Sequence, residues 1–364
     1  MRLMFHVASL SGGGAEKVMV TLANAFAAKG ENVMIYCRDH TPSAYPVGAN
    51  VRLEYLQDHL PPFSGGLINR VVRKVIYNRE YRKAIKTYRP DFNIVFTAPY
   101  AVLVLPILLK TGIPVICSEH STVTRNYPDK KIPVKRKRLY PRVDAVTVLT
   151  HYDYALWCSK PNVVRMPNPF IPTNVPQVKR EKIVIAAGRI REWKIKGFDN
   201  LIKSWSLLWK EFPDWKLVIA GKYDDKSLAF LKGIEKETRC KNIEFLGFCN
   251  NLEEIMSHCE VFCLSSRLEG LPMVLLEAMN AGCACVANDC ITGPSEIIEN
   301  GVNGLLASCD NIIDLSEKLR TVMKSSELRD TFRGNIHLSI SQYSLETVLG
   351  LWYSLFDKIL EKKK

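Results

Sequence analysis

The run Ser265-Ser-Arg-Leu-Glu-Gly-Leu-Pro-Met-Val-Leu-Leu-Glu-Ala-Met-Asn-Ala-Gly282 decides how the chain folds. It follows Val261-Phe-Cys-Leu264, an apolar run of strand length, and it opens a short helix. Pro272 stands where a first helical turn tolerates proline, and Gly282 where a helix usually ends. The helix holds one acid, Glu277, among Val274, Leu275, Leu276, Ala278 and Met279; a second, Glu269, lies in the loop before it. A carboxylate in so apolar a setting is costly unless it accepts hydrogen bonds. The vicinal hydroxyls of a sugar or ribose would supply two donors at once. At about 100° per residue, the eight positions between the acids bring Glu277 back to within about 80° of Glu269, so both can line one pocket. The same pair is compatible with a first-turn acid favoured by the helix dipole and an ion pair to a nearby Lys or Arg.

Working outward, apolar strand-like runs alternate with helix-like ones. Arg2–Ala8, Asn32–Cys37, Phe92–Thr97, Pro114–Cys117 and Ala145–Leu149 are expected as strands, and residues 15–29 as a helix ended by Gly30. In that helix Val18, Leu22 and Phe26 keep the spacing of a face packed on a sheet. Residues 171–180 carry two prolines and no periodicity, which suits a linker. A second series then begins, with strands at Lys182–Ala187, Trp215–Ala220, Ile243–Phe245, Val261–Leu264 and Ala284–Ala287 and helices at Gly197–Glu211, Lys226–Thr238 and Pro272–Ala281. This is the grammar of α/β domains with parallel, doubly wound sheets. Its length of 364 residues suits two such domains: 1–170 and 181–343, joined by 171–180, with an amphipathic helix in 344–364.

Eleven cysteines, odd in number and without Cys-x-x-Cys spacing, read as reduced, buried thiols rather than a disulfide framework or zinc site. The start, Met1–Ser9, is too short for a secretory signal and runs into a glycine loop. The apolar stretch Phe92–Leu109 is interrupted by Asn93, Thr97, Pro99 and Pro106, so a strand and a helix fit it better than a membrane span. A cytoplasmic protein is expected. Charge is segregated: residues 1–175 hold 24 Lys+Arg against 11 Asp+Glu, while the rest is balanced. The excess lies in Arg70–Arg89, where Val71, Val72, Val75, Ile76 and Tyr77 interleave at helical spacing, and in Lys130–Arg142. Such clusters suit either a solvated helix face or docking to an anionic membrane surface. No nucleic-acid-binding motif accompanies them, so no nucleic-acid partner is expected.

Three loops after expected strands complete the picture. Ser9-Leu-Ser-Gly-Gly-Gly-Ala-Glu-Lys17 could bring backbone amides to an anion, or be an unliganded tight turn; it has neither dinucleotide-binding nor P-loop spacing. Gly188-Arg-Ile-Arg-Glu-Trp-Lys-Ile-Lys-Gly-Phe198 presents four cations between a strand and a helix. Val115-Ile-Cys-Ser-Glu-His-Ser121 sets His120 at a strand end, the edge where wound sheets bind ligands.

The segment around Glu269 and Glu277 resembles the Glu-x7-Glu signature of glycosyltransferase family 4, the retaining GT-B sugar-nucleotide transferases. The likeness spans nearly the whole chain and is strongest over residues 183–307. It implies a GT-B fold, two Rossmann-like domains with an interdomain cleft, whose last helix crosses back to the N-terminal domain. It implies transfer of a hexose or N-acetylhexosamine from a nucleotide sugar, expected to be UDP-linked, to a sugar hydroxyl. Carried onto this sequence, Glu269 would hold the donor sugar, the amides of Gly270 and Leu271 the phosphates or sugar, and Glu277 the ribose. Arg189 and Lys196 match the family's diphosphate-binding pair. The loop is about two residues longer than the commonest form, so Lys194 could take the lysine's part. Gly13 and Gly14 match the family's glycine loop, His120 its histidine at the reacting sugar, and Tyr223 and Phe248 positions that bracket the base. Thr292-Gly-Pro-Ser-Glu-Ile-Ile298 matches a loop facing the sugar. Ser-Glu-His resembles members that build bacterial glycans on lipid carriers, which implies a lipid-linked glycan acceptor and a peripheral site on the cytoplasmic face of the membrane. No Asp-x-Asp is present, which with Arg189 and Lys196 points to activation without a metal or other cofactor. With no carboxylate nucleophile evident, departure and attack on one face of the sugar is the expected mechanism. An epimerase of the same fold and a non-catalytic nucleotide-sugar-binding subunit are the rival functions.

Overall fold

Parallel strands with an apolar centre make both sheets of the protein. The computed structural model describes residues 1–60, 67–159, 162–176 and 178–363, of which 67–71 by backbone alone. Arg70 and Val71 of the first basic cluster therefore lie outside the described side chains, and Gln177 of the proline-containing segment outside the described residues.

The chain divides into two units: Met1–Pro169 together with Leu345–Lys364, and Phe170–Ser344. Segment 171–180 groups with the second unit. In the first unit the strands are β1 (Arg2–Val7), β2 (Asn32–Cys37), β3 (Val51–Tyr55), β4 (Phe92–Phe96), β5 (Val115–Ser118), β6 (Ala145–Val148) and β7 (Val163–Arg165). They pair in the order β3-β2-β1-β4-β5-β6-β7, all parallel. In the second unit they are β8 (Glu181–Ala187), β9 (Lys216–Ala220), β10 (Ile243–Gly247), β11 (Cys259–Leu264), β12 (Ala284–Asp289) and β13 (Gly304–Ser308). Their order is β10-β9-β8-β11-β12-β13, again parallel. Both sheets are Rossmann-like. Each has one point where successive connections leave in opposite directions, β1/β4 in one unit and β8/β11 in the other. Loops diverge there and leave room for a ligand at the C-terminal strand ends.

The stretch Phe92–Leu109 resolves into β4 and the helix Ala98–Leu108, and no helix among the described residues is long and apolar enough to cross a membrane. All eleven cysteines are free thiols, and only Cys158 and Cys309 are exposed. The last helix, Leu345–Glu361, buries Val348, Leu349, Trp352, Leu355, Phe356 and Ile359 in the first unit. Phe356 packs 4.5 Å from Phe92 and 5.8 Å from Phe26. At about 1.5–3 kcal/mol for each large apolar side chain buried, this stripe fixes the helix firmly.

The basic helix Leu67–Tyr88 turns Tyr81 and Ile85 inward, fully buried, while Val72 and Val75 face solvent with the cations. The expected apolar stripe is thus split: Tyr77 leans inward, stacked on Tyr81, and the two valines do not. Beneath Tyr81 lies His6, wholly buried in β1, its Nδ1 2.6 Å from the Tyr81 hydroxyl and its Nε2 2.9 Å from Asn93 Oδ1. Burial lowers its pKa from 6.5 to about 4, opposed by the Asn93 bond. The folded state therefore favours the neutral ring, and the stability this brings is complete above pH 6.5 and lost as pH falls toward 4. Its size is about 3 kcal/mol. Chemical denaturation at pH 7 and pH 4.5 is expected to show that loss, and a His6→Gln variant a shallower one; parallel slopes for the two would refute the assignment.

Candidate active site

The candidate site in the second unit grows from the loops that leave β8 and β11 on either side of its switch point. After β8, Arg189 precedes a single helical turn, Ile190–Glu192, and its largely exposed guanidinium lies 3.3 Å from Glu192. The next turn, Trp193–Lys196, ends at Gly197, whose φ of 65° is left-handed. A Cβ at Gly197 would stand 1.9 Å from the carbonyl oxygen of Ser265, so only glycine lets this loop meet the one after β11 so closely. Lys196 folds back over Gly188 and places its ammonium 2.8 Å from the Glu269 carboxylate, both side chains largely buried. Lys194 stays exposed. The structure thus brings Lys196, not Lys194, to Glu269.

The two loops are bolted together by a residue that the sequence did not single out. Arg267 donates to both carboxylate oxygens of Asp199 at 2.7 and 2.9 Å, to Asp310 at 2.5 Å and to the Lys194 carbonyl at 2.7 Å, and its backbone amide donates to the Ile195 carbonyl. Ser265 donates to the Lys196 carbonyl, and Asn288 to the Ser265 carbonyl, both at 2.8 Å. The only signal for Arg267 in the chain is a cation two residues before Glu269, while its partners Asp199 and Asp310 are 68 and 43 positions away.

Gly270 and Leu271 lead into the helix Met273–Asn280. Their amides and that of Met273 donate to no other group among the described residues. Behind them, the Thr292 hydroxyl donates to the Glu269 carbonyl, and Gly293 lies so near that its Cβ would stand 2.4 Å from the Gly270 oxygen. The segment Thr292–Glu296 therefore buttresses the Glu269 loop. Because the helix begins at Met273, Glu269 is not on it, and the helical phase expected to relate the two acids does not apply. Glu277 sits half-buried on the helix. Tyr223 and Phe248 follow β9 and β10, one and two strands out from β8; Phe248 is 72% exposed, and Tyr223 rests against Gly247.

In the first unit, the expected residues lie at the C-terminal ends of β1 and β5. The amide of Gly13 donates to the Tyr45 hydroxyl at 3.1 Å, which in turn donates to the Gly13 carbonyl, so that amide is already engaged. Gly14 opens the helix Gly14–Ala28, exposed and with open space over its Cα. His120 stacks on Phe96 at 4.7 Å, with Nε2 3.0 Å from Ser118 Oγ and Nδ1 3.1 Å from Asn168 Oδ1. Burial lowers its pKa to about 4, against the Asn168 bond, so the ring is neutral near pH 7. Thr147 donates to Ser118. The chain Thr147→Ser118→His120→Asn168 then fixes the proton on Nδ1, which suits a ring that receives or supplies a hydrogen bond rather than a charge.

Comparison with known proteins bears on the family and the fold. The model for "Glycosyltransferase Family 4" matches residues 12–171, and that for "Glycosyl transferases group 1" matches residues 169–337. A Campylobacter jejuni protein named as an alpha-1,4-N-acetyl-D-galactosaminyltransferase acting on an undecaprenol-diphosphate-linked glycan is 27% identical over 99% of each chain. The amylovoran biosynthesis glycosyltransferase AmsD of Erwinia amylovora is 25% identical over 95% of this chain and 96% of its own. Among solved structures, that of Anabaena HepE in complex with UDP superposes with a TM-score of 0.79 at 16% identity, over 98% of this chain and all of the other. Family models over both halves, named relatives along the full length and GT-B structural neighbours converge: this chain is an enzyme, a family 4-like glycosyltransferase built on the GT-B fold.

Proposed function

We propose that the protein transfers a hexose or N-acetylhexosamine from a UDP-sugar to a sugar hydroxyl of a lipid-linked glycan, with retention, in the assembly of a bacterial cell-surface polysaccharide. The observation that carries this reading is the Lys196–Glu269 pair at the β8/β11 switch point, with Arg189 on the same loop and open amides at Gly270 and Leu271. When the sugar–phosphate bond breaks, negative charge grows on the departing diphosphate. Arg189 and Lys196 meet that charge with fixed cations, which stabilise the transition state more than the bound donor. Glu269, released from Lys196 as the diphosphate takes the ammonium, accepts from hydroxyls of the donor sugar. Glu277 holds the ribose, Tyr223 and Phe248 flank the base, and neutral His120 bonds the reacting sugar. In this reading the cations replace a divalent metal.

The names of the relatives support a lipid-linked glycan acceptor, and the UDP complex of HepE supports the nucleotide. The exposed cations and valines of helix Leu67–Tyr88, with those of helix Lys131–Leu139, suit the cytoplasmic face of an anionic bilayer. Each basic residue held near such a surface contributes about 1 kcal/mol.

The test is UDP release from a panel of UDP-sugars, with bacterial membranes as acceptor, with and without EDTA. Acceptor-dependent release unchanged by chelation is expected. Loss with EDTA restored by manganese would refute the metal-free step. Conversion of a UDP-sugar with no acceptor would mark an epimerase, and binding without turnover a non-catalytic subunit.

A further inference from the structure

The loop that carries His120 is fastened from below by a buried ion pair. β5 ends at Ser118, and the next residue, Glu119, turns inward until only 1% of it is exposed. Its Oε1 accepts from the Tyr140 hydroxyl and lies 3.2 Å from Nε of Arg136, itself 5% exposed. Arg136 belongs to the helix Lys131–Leu139, whose Lys131, Lys135, Lys137 and Arg138 all face solvent. Its guanidinium is caged by aromatic rings, 4.8 Å from Trp157, 5.5 Å from Tyr140 and 5.8 Å from Tyr127. The same guanidinium reaches across the loop: Nη1 donates to the Val123 carbonyl at 3.4 Å. One side chain therefore touches the loop on both sides of His120, at residue 119 and at residue 123. A second buried acid, Asp153, reinforces the far side by accepting from the Thr122 hydroxyl and the Val123 amide, each at 2.9 Å.

Stability alone does not account for this arrangement. A buried ion pair is commonly no better than apolar side chains of the same volume, because desolvation offsets the attraction. The pair is also incompletely satisfied: among the described residues Glu119 Oε2 and both Nε and Nη2 of Arg136 have no hydrogen-bond partner, so Nε meets Glu119 as an ion pair only. What it does supply is direction. Among the described residues the ring of His120 is held by two neutral hydrogen bonds and a stacking contact, so its position follows that of residues 119–123.

We propose that Glu119 and Arg136 are positioning residues that set the place of His120 by clamping both ends of its loop. This rests on the reading of His120 as the group that meets the donor sugar. Three variants test it, Arg136→Met, Glu119→Gln and the milder Arg136→Lys, each read by steady-state kinetics and by NMR titration of the His120 ring. An ångström-scale displacement of a reacting group can cost about 100-fold. Arg136→Met and Glu119→Gln are expected to lower kcat by about 10–100-fold while donor KM stays within about threefold. As the loosened ring meets water, the His120 midpoint should rise from about 4 toward 6.5. Arg136→Lys keeps the cation without the two-ended grip, so both shifts should appear at smaller size, and this variant decides the matter if Arg136→Met does not fold. Folded variants with wild-type kcat and an unmoved His120 midpoint would overturn the proposal. If the wild-type protein transfers no sugar, the functional reading fails while the NMR arm still decides whether the clamp positions the ring.

Discussion

Lys196→Ala is expected to lower turnover at saturating donor by about 10²–10³-fold, the usual size of the effect when one fixed charge or donor facing a developing anion is removed. Lys194→Ala should leave turnover within about threefold, since its side chain stands in solvent, where a charge acts through water. The contrast follows from the Lys196 stem lying over Gly188 and its ammonium 2.8 Å from Glu269. Glu269 serves two successive partners in this account, Lys196 in the empty site and sugar hydroxyls in the occupied one. Removing either residue alone leaves the other partly buried without its counter-charge; removing both leaves neither. The double variant Lys196→Ala/Glu269→Gln should therefore lose less than the product of the two single losses, as expected for groups in contact. Steady-state UDP release for the four proteins of this cycle, with Lys194→Ala alongside, is the measurement. Multiplicative losses, or equal effects at Lys194 and Lys196, would dismiss the pairing as a functional unit.

The parallel, wound character of both sheets was legible because central strands are apolar on both faces. Met4-Phe-His-Val7, Val184-Ile-Ala-Ala187 and Val261-Phe-Cys-Leu264 leave no alternation to misread. Outlying strands lack that signature. β3, Val51-Arg-Leu-Glu-Tyr55, is half exposed, β7 has three residues, and β13 begins at a glycine, so none of them was expected. The site divides in the same way. Residues next to one another in a loop, such as Glu269 and Gly270 or the cations of Gly188–Phe198, could be read as a group. Contacts that span the fold could not. Tyr45 on Gly13, Arg136 beneath the His120 loop and Arg267 between Asp199 and Asp310 join residues that no spacing relates. Nor could the choice between Lys194 and Lys196, which rests on where a two-residue-longer loop turns. That turn is set by Gly197 against Ser265 and by the stacking of Trp193 on Phe230 at 4.0 Å.

Arg267→Ala should impair both folding and catalysis, although the residue meets no substrate in this account. Its guanidinium makes four hydrogen bonds, three to the carboxylates of Asp199 and Asp310 and one to the Lys194 carbonyl. Asp199, with 14% of its side chain exposed, would lose its cation in a place where water only partly replaces it. Asp310 is 59% exposed and would lose little. Charged hydrogen bonds of this kind contribute about 1.5–3 kcal/mol each when buried. Partial exposure and the non-additivity of shared bonds bring the expected loss to about 2 kcal/mol. The catalytic loss should be larger than that figure suggests. The backbone bond from the Arg267 amide to the Ile195 carbonyl persists in the variant, so the loops stay in contact but lose the bridge that fixes Lys196 against Glu269. A misalignment there of about 1 Å corresponds to about 100-fold in turnover of the folded enzyme. Arg267→Lys should not rescue, because a single ammonium cannot span two carboxylates and a carbonyl at once. Thermal melts give the first quantity, and UDP release normalised to folded protein the second. Wild-type turnover in folded Arg267→Lys would show that the bridge does not set the geometry of the site.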